Sequence, residues 1–189
     1  MVQQTHVEIQ PPFPPIERDA AVEASTCVRP KLATLIGMES STPETARSLL
    51  RHAVATVRYR GNKVLREAGP DFADFRIAEA VRTPVEILAH IGDLFEWALR
   101  LSHGTSQWTE AQPLPWHDEV ARFHRVLDDF DTRLDSHEPM SAPIERLLQG
   151  PVADALTHVG QLATLRRLSG APIKPENYFK ATIVPGRQA

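Results

Sequence analysis

Two threonine–proline steps, Thr42–Pro43 and Thr83–Pro84, each head a long run in which apolar residues recur every three or four positions. A threonine side chain accepts from the free N–H groups of a first helical turn. Proline costs least at the first helical position, where its missing N–H would have no partner. After the first step, positions 46, 49, 50, 53, 54, 57, 64 and 65 keep a helical period. Glu44 suits the positive end of that helix, Gly61 weakens its distal turns, and Gly69–Pro70 stops it. After the second step, Val85, Leu88, Ile91, Leu94, Phe95, Ala98 and Leu101 form a broad apolar face that Gly104 ends.

A third run places Val120, Phe123, Leu127, Phe130 and Leu134 at alternating spacings of three and four, the pattern of a bundle seam. The segment SAPIERLLQG reads as a short helix of its own, with Gly150–Pro151 as a restart. From there the last long helix spans about Pro151 to Ser169 and ends at Gly170. Four amphipathic segments without alternating strands predict an all-α, four-helix bundle over residues 41–170. An irregular proline-rich arm, residues 1–40, precedes it, and a tail, residues 171–189, follows, with Tyr178, Phe179, Ile183 and Val184 as the side chains that pin it down.

At 189 residues the chain suits one core. A net charge of -3 gives no general reason to expect a nucleic-acid partner, and the local run Arg58, Arg60, Lys63 and Arg66 reads as a solvated face. Cys27 is the only cysteine, so no internal disulfide or cysteine-rich metal site forms. No apolar run has the length of a membrane span, and the first residues do not resemble a secretory signal. A cytoplasmic protein is the expectation.

Polar rings on apolar stripes need partners, and two histidines stand in that position. His158 lies in register with Ala155, Leu162 and Leu165, one turn beyond Asp154. This Asp-x3-His spacing lets both side chains approach one ion. It also reads as an acidic first turn followed by a satisfied core histidine. His90 falls at the margin of the second apolar face, near Glu86, Asp93 and Trp97, and meets the other two only if the second and fourth helices are neighbours. His52, His103, His117, His124 and His137 are scattered, with His124, beside the third seam, the reserve ligand.

The stretches TPVEILAHIGDLFEWAL and LLQGPVADALTHVGQLATLRRLSG resemble the DinB/YfiT-like superfamily of bacterial four-helix bundles. The resemblance covers roughly residues 43–170. It implies a divalent ion, often nickel or zinc, held by one histidine of the second helix and an H-x3-H pair of the fourth. His90 and His158 match two of these; Asp154 stands where the family has the third histidine. The altered set of two imidazoles and one carboxylate suits zinc, nickel, iron or manganese.

The resemblance also implies thiol-dependent transfer or isomerisation, with a low-molecular-weight thiol as cofactor, or metal-assisted hydrolysis of a small-molecule substrate. Glu86 and Asp93 are candidate bases; Trp97, Trp108 and Trp116 are candidate pocket walls. Gly160 reads as a close-packing position, Gln161 as a neighbour of the site, and Arg166 and Arg167 as surface residues. A noncatalytic helical module is the competing reading, with the histidines completing an internal hydrogen-bond network and a homodimer as the first assembly to expect.

Overall fold

The second helix starts as its sequence predicts. The Thr83 hydroxyl accepts from the Glu86 N–H, and the Glu86 carboxylate accepts from the Thr83 N–H at 2.6 Å, a reciprocal cap behind Pro84. The computed structural model describes residues 43–186. The arm expected over residues 1–40, the cap at Thr42 and the end of the tail lie outside the described residues.

Six α-helical segments follow one another: α1 (Pro43–Leu65), α2 (Pro70–Ala73), α3 (Pro84–Ser102), α4 (Trp116–Asp135), α5 (Ile144–Leu147) and α6 (Ala153–Leu168). No strand occurs among the described residues, so the expected all-α bundle is what forms. Helices α3 and α1 each pack against both α4 and α6. Phe95, Phe123, Phe130, Leu50, Leu88, Ile91, Leu127 and Leu162 are fully buried between them. None of these helices is long and apolar enough to cross a membrane.

Helix directions follow from side-chain pairings. Arg47 reaches the Ser136 carbonyl, Arg51 reaches Asp131 and Arg58 reaches Asp128, so α1 and α4 are antiparallel. Arg122 meets Ala89 and Asp93, and Arg133 meets Ser102, so α3 and α4 are parallel. A parallel neighbour requires the chain to return along the whole helix before starting the next. The 19 residues of α3 measure about 28 Å. Residues 103–115 can span roughly 40 Å when extended and make that crossover.

Three expectations change. Helix α1 ends at Leu65, not Gly69, because Glu67 turns left-handed with φ 59°; Gly69–Pro70 instead opens the single turn α2. Gly61 is a packing notch and not a weak turn: a Cβ there would lie 2.5 Å from Cζ of Phe123. No restart occurs at Pro151. Residues Leu148–Val152 form a π-turn that joins α5 to α6 with helical backbone on both sides. The wider turn accommodates the proline ring and its missing donor, which an α-turn would not. The predicted stop is correct: Gly170 takes φ 82°, with Gly170 N–H donating to Arg167 and Ala171 N–H to Arg166.

The tail runs back over α1. Glu176 receives Tyr59 and Lys63, Tyr178 packs edge-on against Tyr59 at 6.4 Å, and Arg60 lies 4.4 Å from the Tyr178 ring centre. Tyr178 is a pin as expected; Phe179, 96% exposed, is not. The basic run is therefore a solvated face only at Arg66, which is exposed beyond the end of α1. Arg58 is buried on Asp128, and Arg60 and Lys63 hold the tail.

Candidate metal centre

Antiparallel packing of α3 and α6 brings His90 against Asp154 and His158. One donor atom from each of the three side chains lies within 4.8 Å of both others. His90 Nε2 stands 3.7 Å from Asp154 Oδ2, and His158 Nδ1 stands 3.2 Å from Asp154 Oδ1. The histidine rings are 4.7 Å apart between centres. Ligands about 2.1 Å from a tetrahedral zinc ion lie roughly 3.4 Å apart, so donors within 4.8 Å of one another need to draw together to share one ion. The π-turn ends two residues before Asp154. Its extra residue sets the rotation at which Asp154 and His158 face α3.

The protonation chemistry suits ligation. His158 Nδ1 lies 2.9 Å from the Asp154 carbonyl oxygen, to which it can only donate, so the nitrogen left to an ion is Nε2 and not the Nδ1 that stands 3.2 Å from Asp154 Oδ1. Burial lowers the His90 pKa, and the neighbouring His158 ring and the Arg82 charge lower it further, against the pull of Asp154 and Asp93. A neutral imidazole is the form that binds a metal. Asp154, 45% exposed at its side chain, opens the cluster to solvent. His90 Nδ1 is buried with no hydrogen-bond partner among the described residues, so the ring lacks the outer bond that commonly fixes a ligating histidine.

Packing fixes that ring instead. Trp108, carried by the crossover, meets His90 edge-on at 5.7 Å and Trp97 at 5.7 Å. Trp97 Nε1–H donates to the Ser106 carbonyl, Ala111 N–H to Asp93, and Leu114 N–H to Glu119. Asp93 and Glu119 are buried and share Arg122, which also donates to Glu96 and to the Ala89 carbonyl. Burial disfavours the Arg122 charge, but the hydrogen bonds to Glu96 and Asp93 reverse this and raise its pKa. Gly92 makes the approach possible, since a Cβ there would lie 2.9 Å from Arg122 Nη1.

Two clefts flank the cluster and share the wall Ala80–Arg82. The first, about 340 Å³, reaches His90 and is lined by Arg76, Arg82, Glu86, Glu110 and Gln112. The second, about 660 Å³, reaches His158 and is lined mainly by Ile77, Ile87, Leu165, Leu168 and the outer face of α6.

His90, Asp154 and His158 thus come together as the sequence arranged them. Other candidates lie elsewhere. Glu86 is engaged in the α3 cap, whose backbone hydrogen bond to Thr83 holds its pKa down, and Asp93 is held by Arg122; neither is a free base. His124 is on the α1 side of α4, where its carbonyl meets Arg58. Trp116 donates to the Ala68 carbonyl and packs on Phe72, away from the cluster. Arg166 is buried with its guanidinium 5.4 Å from the Phe72 ring centre, not a surface residue. Gly160 is not a close-packing position: a Cβ there meets nothing within 4 Å among the described residues.

Arg122 escaped the sequence reading. Its signal was a charged residue in register with Val126 and Phe130 of the seam, with Glu119 one turn before it. Comparison with protein-family models, with curated proteins and with solved structures gave no match.

Proposed function

We propose that this chain is a divalent-metal-binding helical bundle of the DinB/YfiT-like type, in which His90, Asp154 and His158 hold the ion and serve a thiol-dependent transfer or isomerisation. The observation that carries this reading is the convergence of the three donors between two clefts of different character. When bound, a divalent ion supplies the acidity that converts a thiol or a water to its anion near neutral pH. Nickel or zinc fits the mixed imidazole and carboxylate donors best, with iron and manganese as the harder alternatives.

The two clefts favour transfer over hydrolysis, because transfer needs seats for two reactants. Arg76, Arg82 and Gln112, beside the carboxylates of Glu79, Glu86 and Glu110, offer hydrogen bonds to a small polar thiol in the first cleft. The second cleft takes its partner. His158, held through Nδ1 by the Asp154 carbonyl, lines the second cleft, and His90 lines the first. Trp108 covers His90 on the crossover side and limits water there.

Protein purified without an affinity tag, compared with His158→Ala, tests the site by metal analysis. Near-stoichiometric metal in the parent and loss in the variant is the expected result; equal, substoichiometric metal in both would sink the assignment. In cobalt-substituted protein, a thiol that enters the site alters the visible spectrum. An unchanged spectrum across a thiol series turns the reading to metal-dependent hydrolysis.

A further inference from the structure

The second cleft has a composition that the metal cluster alone does not explain. Ile77 and Leu168 stand at its mouth, 50% and 56% exposed, although both are large and apolar. Thr157 and Thr164 also line it, yet each hydroxyl already donates to its own helix, to the Ala153 and Gly160 carbonyls. They offer methyl surface. His158, which is buried, and the half-exposed Arg82 guanidinium also line it, Arg82 only in a loose 3.9 Å pair with Glu110. Its 660 Å³ lies within the range that small-molecule sites occupy, roughly 300–1,000 Å³.

Gly160 accounts for the open floor. It lies on the outer face of α6, and the absence of a side chain removes nothing from the core. In a helix interior glycine is the costly choice unless space is needed beside it.

We propose that this cleft seats an amphiphilic acid. Its apolar body lies along Ile77, Ile87, Leu165 and Leu168, over the floor kept open by Gly160. Its oxygen-bearing head turns to the Arg82 guanidinium and the His158 end of the cluster. The head-group end rests on the metal reading above; the apolar seat does not.

Chain length is the test. Octanoate and acetate are titrated into the full chain without added metal, following the amide resonances of Thr157, Gln161 and Thr164. Octanohydroxamate and acetohydroxamate are then titrated into zinc-loaded protein. Each buried methylene strengthens binding roughly fourfold, so the eight-carbon ligand should bind at least about tenfold tighter in both series. Gly160→Phe fills the floor and should bring both ratios toward one, leaving zinc content and acetohydroxamate affinity unchanged. Leu168→Asp, at an exposed position, should reduce the ratios without risk to the fold. A wild-type ratio near one, or an advantage that survives both substitutions, overturns the proposal. If octanoate is seated but zinc is not retained, the cleft stands and the metal reading falls. If both hydroxamates bind zinc-loaded protein equally, the metal reading stands and the cleft falls.

Discussion

Helix α3 presents two faces that answer to different demands. Toward α4, Asp93 and the Ala89 carbonyl meet Arg122, and the charges there are countered: Asp93 is 2% exposed, Glu119 0% and Arg122 6%. Toward α6, His90 meets Asp154 at 3.7 Å, has an Nδ1 without a hydrogen-bond partner among the described residues and lines the first cleft, while Ile87 lines the second. One face resolves its polar groups internally and the other leaves donors aimed at a shared point. The first holds the crossover in place; the second is where a ligand gains what the protein has left unmade.

Breaking the closed face should have the largest effect. Arg122→Met leaves Asp93 and Glu119 buried without a countercharge, and a loss of about 3–5 kcal/mol in unfolding free energy is expected. Urea denaturation measures it, and a loss under about 1 kcal/mol would show that the two carboxylates do not depend on the guanidinium. A pair of glycine substitutions sharpens the contrast. Gly92→Ala forces Arg122 to shift and should cost about 1–3 kcal/mol. Gly160→Ala adds a methyl group in open space and should stabilise by about 0.5–1 kcal/mol. Equal signs in thermal unfolding would mean that Gly160 on α6 is as closely packed as Gly92 on α3.

On the open face, stability and ligand binding should part. His90→Leu removes a buried unpaired nitrogen and is expected to leave stability unchanged or raise it by up to about 1 kcal/mol. The same variant should retain no zinc by metal analysis. Retained zinc would remove His90 from the ligand set, and a large destabilisation would make it a structural histidine.

The smallest effect concerns pH. Burial lowers the His124 pKa, with the Arg58 charge in the same direction and Asp128 opposing. The folded chain therefore binds fewer protons here than the unfolded chain. This contribution to stability is full above the ordinary histidine value of 6.5 and is lost as pH falls from there through the lowered value. His90 acts with the same sign. Denaturation between pH 7.5 and 5 should show stability falling on acidification, with a shallower slope in His124→Gln; identical slopes would exclude that histidine as a source.

Much of the site was legible because its signals are local. Asp154 and His158 are one turn apart on one helix, and the Thr83–Pro84 cap fixes where α3 begins and so which way His90 points. The misreadings have two causes. Gly61 and Pro151 are weighed by what each does to its own helix, whereas Phe123 above Gly61 and a π-turn around Pro151 set their roles. At Gly160 and Arg166 the packed and open sides of α6 are exchanged: open space lies beside Gly160, and Phe72 lies beneath Arg166.

By itself the sequence determined that the chain is helical, where most of its helices begin and end, and that His90 and the Asp154–His158 pair belong to inward-tending faces. Apolar period, caps and proline and glycine breaks act over a few residues, so a linear reading contains them. Only the tertiary structure decided that α3 and α4 run parallel, that the crossover lays Trp108 on His90, and that Arg122 closes one face of α3 while the other stays open. Those outcomes depend on which helices become neighbours and in which direction, and that choice is made by burial of the whole core, not by any one segment.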